Sequence, residues 1–270
     1  MTVAANASPT PTSDDRPTLR IEIPVPSKWR LEVVELLDTT PSVRTLALRL
    51  HPAEGNDASA RLEYAPGQDL SLSLAGLAGS PVNRRYTIGR YEPDEAIVEL
   101  EIVAHGDGPG ARFLAAARVG DEIEAFGPRG KITLVDGVET HLFFADESSI
   151  AASAAMVAAL HPGEHAIVVA DVAGPAEHRR FTAASGVGLD LRFLDRGDSA
   201  ADDPARVLEA LASIPLDAAS THAYPFGEFH VVSALRRVLA DSLGMARISP
   251  KPYWRSGQPN GGHGEPARDD

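Results

Sequence analysis

The chain has 270 residues, 43% of them hydrophobic and 23% charged, which is the composition of a folded globular protein and excludes a wholly disordered or fibrous one. With 25 Lys and Arg against 38 Asp and Glu the net charge is −13, which disfavours nucleic acid or an anionic lipid surface as the main partner. There is no cysteine, so disulfides, thiol catalysis and Cys-ligated zinc or iron–sulfur clusters are excluded and any redox role needs another cofactor.

No apolar run approaches the roughly 18 residues of a membrane span, and no basic-then-apolar leader opens the chain, so a cytoplasmic protein without membrane insertion is expected. Residues 1–27 and 256–270 are expected to be disordered tails. Between them the pattern changes once, near Asp136–Glu139, which divides the chain into domains at 28–137 and 138–255.

The first domain is built of short alternating segments. Arg30–Leu37 is followed by Leu46, Leu48 and Leu50, then by Leu70, Leu72 and Leu74 with serines between them. Tyr86–Arg90 comes after an expected turn at Ser80–Asn83; Val98, Leu100 and Ile102 alternate with glutamates, and Asp121–Phe126 closes the series. About six half-buried antiparallel strands and one helix near Ala111–Arg118 suit a small closed β-barrel.

The second domain alternates apolar runs with helical stretches: His141–Ala145 then Ile150–Leu160, Ala166–Ala170, Leu189–Leu194 then Ala205–Ala212, and Thr221–Phe226 then Phe229–Leu243. This predicts an α/β domain with a parallel sheet covered on both faces. Ligands of such sheets lie beyond the strand C-termini, here Asp146-Glu147, Asp171, Asp195-Arg196 and Gly227-Glu228.

Within Arg84-Arg85-Tyr86-Thr87-Ile88, a strand places Arg84 and Tyr86 on one face and Thr87 on the other. A guanidinium, an aromatic ring and a hydroxyl could hold a flavin by phosphate pairing, stacking and a hydrogen bond; a charged strand end with a core tyrosine explains the same residues. The run His105-Gly106-Asp107-Gly108-Pro109-Gly110-Ala111 is a Gly-rich turn opening a helix, where a diphosphate could meet backbone amides; a plain turn is the other reading, and His105 is given no catalytic role.

Together these segments resemble the siderophore-interacting, FAD-binding protein family, a branch of the ferredoxin-reductase-like flavoproteins. Its Arg-x-Tyr-Thr pattern is similar to Arg84–Thr87, its His-Gly-x-x-Gly-Pro-Ala run to His105–Ala111, and its Gly-Pro-Arg-Gly to Gly127–Gly130. Its Gly-Asp-Glu-Thr-Ala-Leu-Pro-Ala resembles Ala145–Ala152, its Ala-Gly-Glu resembles Phe226–Glu228, and its Gly-Tyr-Trp-Arg-x-Gly resembles Pro252–Gly257. The chain departs from it at Phe113 for Trp, Ala145 for Gly, Ala151 for Pro and Phe226 for Ala, which bears on nicotinamide access.

The resemblance implies an FAD-binding barrel followed by an NAD(P)H-binding domain, reducing ferric siderophores so that iron leaves as Fe(II). Carried over by position, Arg84 contacts the FAD phosphates, Tyr86 stacks on the isoalloxazine and Thr87, the one residue given a catalytic place, bonds near its reactive nitrogen. Gly108, Gly110 and Ala111 cradle the diphosphate with His105 beside them, and Asp146, Glu147 and Ser148 lie on the nicotinamide path.

Arg196, with Arg179-Arg180, offers cations to an adenosine 2′-phosphate, favouring NADPH over NADH, or a solvated loop charge. Gly227 and Glu228 complete the nucleotide-facing set. Trp254 either covers the flavin or docks the last segment, while Lys251 and Arg255 are candidates to attract an anionic siderophore, together with Arg84, Arg85 and Arg90. No metal site is expected, because Pro162 and Gly163 interrupt His161 and His165, and a monomer is expected. The alternatives are a general flavin-dependent reductase with another acceptor, or a siderophore- or flavin-binding protein without reductase activity.

Overall fold

A computed structural model describes residues 26–53, 60–76, 80–104, 106 and 108–258. Most of the two expected tails and His105 lie outside these residues, but the inner edges of the tails are structured: Ser27 pairs with Gly127, and the Ser256 amide is bonded to Glu228.

Six strands form the first half: β1 (Ser27–Thr40), β2 (Val43–Pro52), β3 (Asp69–Ala75), β4 (Pro81–Glu92), β5 (Ile97–Val103) and β6 (Glu122–Arg129). They close as an antiparallel barrel in the order β1-β2-β5-β4-β3-β6. The alternation in the sequence sets the register. Leu46 faces Leu100, Leu48 faces Val98 and Leu31 faces Leu50, so one side of every strand fills the barrel. Closure between β1 and β6 removes the free edges and is reinforced by the Trp29 indole, which donates to the Gly127 carbonyl at 3.0 Å.

Two expectations in this half are corrected. The proposed turn Ser80–Asn83 is mostly strand, because Pro81 occupies a first strand position and Val82 and Asn83 already pair with Leu74 and Ser73. The helix α1 runs Pro109–Ala116, two residues earlier than expected at both ends. Pro at its first position presets the helical backbone, and the helix has ended before Arg118.

The second half holds β7 (Thr140–Ala145), α2 (Ile150–Ala158), β8 (His165–Val172), β9 (Gly188–Asp195), α3 (Ala205–Ala212), β10 (Thr221–Glu228), α4 (Phe229–Leu243) and β11 (Lys251–Trp254). The sheet order is β11-β10-β7-β8-β9, every pair parallel. Phe143, Val168 and Tyr224 bury one face against Met156 and Val157 of α2, while Leu142, Val169 and Ala223 bury the other against Leu235 and Leu239 of α4.

The β8–β9 connection contains only a three-residue 3₁₀ turn, Pro175–Glu177, in place of a helix. There Phe181, Ala183 and Val187 cover the α2 face of the sheet. β11 was not expected as a strand: it is four residues long, too short and too polar to show a period, and is strand only because it pairs with Phe226 and Gly227.

At the base of the sheet two histidines are buried in the core. His222 bonds the Ser249 hydroxyl at 2.9 Å, and His141 lies 3.4 Å from the Tyr224 hydroxyl. Burial above all, helped by His141 and Arg247, lowers the His222 pKa to about 3. The unfolded chain therefore binds a proton there near pH 6.5 that the folded chain refuses, so this contribution is complete above pH 6.5 and is lost as pH falls toward 3. Between pH 6.5 and 4.5 stability should fall by about 1.4 kcal/mol per pH unit from this group. Urea melts of the parent and of His222→Asn across that range check it: the variant should show the shallower slope, and parallel slopes would refute the assignment.

Candidate functional site

The two halves meet where the outer wall of β3 and β4 faces the C-terminal ends of the parallel strands. Pleating puts Arg84 and Tyr86 on the same side as Leu72 and Leu70, and Arg85 and Thr87 on the outer wall with Asp69 and Ser71, as the sequence spacing implies.

Arg84 is half-buried and donates from Nη1 to the Asn83 carbonyl at 2.8 Å. The Tyr86 ring packs on the barrel core and its hydroxyl is pressed against α1, so that a Cβ on Gly110 would lie 2.3 Å from it. Burial pushes the Tyr86 hydroxyl up to about 12, with the Arg84 charge pulling the other way. Gly110 is therefore required by close approach.

Gly108 precedes α1 as its cap residue, with no side-chain cap and no acid in the first turn. The first-turn amides of Gly110 and Ala111 thus have no intrahelical acceptor and lie beside β4, where they form a cradle for negative charge. Uncapped amides, a guanidinium and an aromatic ring fit a flavin dinucleotide's diphosphate and ring.

On the outer wall Thr87 is 6% exposed and its hydroxyl lies 2.9 Å from the Tyr253 hydroxyl of β11. Directly across on β3, the carboxylate of Asp69, 1% exposed, receives Arg85 in a bidentate pair at 2.7 and 2.8 Å and Lys251 Nζ at 3.2 Å. Lys251 also donates to the Gly67 carbonyl and sits 5.0 Å above the Tyr253 ring. Burial pulls the Lys251 ammonium down, but Tyr253 and Asp69 outweigh it and hold its pKa above the ordinary lysine value. Asp69 is marked by no local pattern in the sequence: its bond to Lys251 spans 182 residues.

At the end of β11 the Trp254 indole donates to Asp146 Oδ2 at 2.7 Å, and the following Arg255 stacks 4.5 Å from the Phe229 ring. Asp146 also accepts from the Ser148 amide at 2.9 Å and from the Ser149 hydroxyl. Neither acid of the Asp146-Glu147 pair caps α2, whose cap residue is Ser149. Glu147 instead accepts from the Ala173 amide and from Arg196, which is half-buried and also donates to the Asp171 carbonyl at 2.6 Å. Arg206 completes the group with both nitrogens 3.3 Å from Asp171. Burial pushes the Asp171 carboxyl up, against the pull of Arg206 and Arg196, and Glu147 adds to the rise.

Gly227 (φ +121°) sits under Asp146, and Glu228 caps α4 through the amides of His230 and Val231 while holding the Ser256 amide at 3.0 Å.

The structure therefore brings Arg84, Tyr86, Gly108, Gly110 and Ala111 together at one rim, and Thr87, Lys251, Trp254 and Asp146 along one seam. Arg196 is set apart in the ion-pair cluster. Of the basic candidates, Arg90 pairs with Glu92 and Glu99, and Arg179 reaches across to Glu101 of the barrel. Of the four departures noted in the sequence three point inward, Ala145 packing against Ile150, Ala170 and Val172, Phe226 against Tyr224 and Tyr253, and Phe113 on the barrel core, while Ala151 lines the groove between α2 and the barrel. Among the described residues no group of three or more metal-ligating side chains is present, and no helix is long and apolar enough to cross a membrane.

Residues 38–132 match the siderophore-interacting FAD-binding domain, and residues 138–257 match the siderophore-interacting protein model. The chain belongs to the siderophore-interacting protein family. A ferric vibriobactin reductase of Vibrio cholerae is 25% identical over 181 residues, a match spanning 66% of each protein, just under two thirds. A siderophore utilization protein from T. fusca has the same fold, with TM-score 0.74 and 23% identity over 87% of this chain and 95% of that one. The ferredoxin reductase of carbazole 1,9a-dioxygenase shares it at TM-score 0.67 and 17% identity, over 85% of this chain and 70% of that one.

Gly227 is a constrained position, since a Cβ there would sit 2.7 Å from Asp146 Oδ2 on a left-handed backbone. Gly227→Ala should cost about 1–3 kcal/mol. For a chain of this size that lowers the melting temperature by about 2–4 °C per kcal/mol. An unchanged melting temperature would show that Asp146 is free to move aside.

Proposed function

We propose that this siderophore-interacting protein is an FAD-dependent oxidoreductase that takes electrons from a pyridine nucleotide and reduces the Fe(III) of a bound siderophore, releasing Fe(II). The observation that carries the reading is the rim where the uncapped amides of α1 meet Arg84 and Tyr86 of β4, within the segment that matches an FAD-binding domain. The ferric reductase named among its relatives supports the acceptor.

Arg84 and the amides of Gly110 and Ala111 would hold the diphosphate, two kinds of donor converging on one anion. Tyr86 offers an aromatic face for the ring. Thr87 offers its hydroxyl to the ring edge; because a hydroxyl both donates and accepts, it can serve a ring nitrogen while keeping its bond to Tyr253. FAD, when bound, supplies the exchange between a two-electron donor and a one-electron acceptor, so the chain needs neither a side-chain nucleophile nor an acid–base pair.

The chain's remaining work is electrostatic and steric. Lys251 and Arg255 stand at the seam as cations for an anionic ferric siderophore, drawing it in against the net negative field of the protein. The Trp254 side chain, 38% exposed and tethered to Asp146, covers the seam on the sheet side and limits water there. Asp146 and Ser148, at the C-terminal end of β7, face the path of the nicotinamide.

The test is an anaerobic titration of the flavin-loaded protein with NADH or NADPH, then ferric siderophore with an Fe(II) chelator present. Bleaching of the visible spectrum, followed by its recovery as Fe(II) appears, supports the reading. Flavin that binds and stays oxidised would make this a binding protein, recovery only with artificial acceptors a general reductase, and no flavin binding would end the proposal. Arg84→Ala removes a charge-assisted contact of about 1.5–3 kcal/mol, so FAD should bind roughly 10- to 100-fold more weakly, read by ultrafiltration of the released flavin.

A further inference from the structure

We propose that this chain selects the pyridine nucleotide without a 2′-phosphate, NADH over NADPH, and that Glu147 and Asp171 set the preference. The inference rests on the reading of the α/β half as the pyridine-nucleotide domain, and it reverses the expectation drawn from the arginines of the sequence.

In a parallel sheet the adenosine ribose lies beyond the C-terminal ends of the strands, where an acid at the end of the second strand accepts from a ribose diol and an uncommitted arginine donates to a 2′-phosphate. Asp171 is near the end of β8, the second strand, and Glu147 is in the loop beside it. Both cations at this edge are already committed. Arg196 donates to Glu147 at 2.6 Å and to the Asp171 carbonyl at 2.6 Å, and its side chain is 9% exposed; Arg206 holds the Asp171 carboxylate. Of the other two arginines in the sequence pattern, Arg179 pairs with Glu101 of the barrel and Arg180 lines the groove between α2 and the barrel, away from this edge.

To bind a 2′-phosphate, Arg196 would have to leave Glu147, stranding a nearly buried carboxylate beside a new dianion. The surroundings make that worse. The end of β9 adds Asp195 and the loop that follows adds Asp198, Asp202 and Asp203, so this edge carries six carboxylates against two guanidinium groups. A diol donates hydrogen bonds into such a field, whereas a phosphate is repelled by it.

The test is isothermal titration of the full chain with NAD⁺ and with NADP⁺, repeated on Glu147→Gln and on Asp171→Asn, with a thermal melt to show that each variant is folded. The parent should bind NAD⁺ about 10-fold or more tighter than NADP⁺. Glu147→Gln, which releases Arg196 and removes a negative charge, should raise the affinity for NADP⁺ relative to NAD⁺; Asp171→Asn should do the same by releasing Arg206. Tighter NADP⁺ binding by the parent overturns the inference and leaves the pyridine-nucleotide reading intact. An unchanged affinity ratio in both folded variants overturns the assignment to these two acids, and binding of neither nucleotide overturns the pyridine-nucleotide reading together with the inference.

Discussion

Asp69 projects from the outer wall of the barrel with its carboxylate almost wholly buried, and there it receives one cation from the neighbouring strand and one from the end of the chain. A carboxylate in that position must be fully paired, since losing either partner of a buried pair costs about 3–5 kcal/mol. Arg85 makes the pair bidentate and stiff; Lys251 makes it reach across the two halves. With Lys251 fixed, β11 lies along β10, Tyr253 comes to Thr87 and Trp254 to Asp146. The four-residue strand thus ties the two halves at Asp69 and at Thr87, while Trp254 holds the strand's far end to Asp146 within the sheet half.

That tie explains how a protein of net charge −13 can present cations where an anionic ligand would arrive. Asp69 neutralises one of two charges, so the Arg85–Asp69–Lys251 group stays positive, and Arg255 rests on the aromatic face of Phe229. On the far side of the sheet edge the balance is the opposite: Glu147 and Asp171 absorb Arg196 and Arg206, and the following loop is acidic. The same overall charge is therefore divided into a basic seam and an acidic edge. Such division sets which end of a ligand lies where, which a net charge does not describe.

Much of this was legible in the residues themselves. Alternating leucines place six strands and say which face is inward, and a period of two leaves little freedom in register once one face is buried. The Arg84–Thr87 segment and the Gly-rich turn are local, so their residue types and their division between faces can be read directly. The structure adds the contact between Tyr86 and Gly110 that makes one glycine obligatory. β11 could not be read, because the four residues Lys-Pro-Tyr-Trp have no period of their own and become a strand only by pairing with β10. The role of Glu228 was also hidden: a glutamate before a helix gives no sign that it will cap that helix and hold Ser256.

The sequence by itself determined the two architectures, the division of Arg84, Tyr86 and Thr87 between the two faces of one strand and the absence of thiol chemistry, since each depends on residue types and on spacings of a few positions. Tertiary structure alone decided which charges remain available. Arg196 reads as a phosphate-binding cation until Glu147 and Asp171, 49 and 25 residues away, are seen to hold it, and Lys251 reads as a loose surface charge until Asp69 is found beneath it. A charge's partner is set by distance in space, and Coulomb attraction in a buried site ignores how far apart two residues lie along the chain.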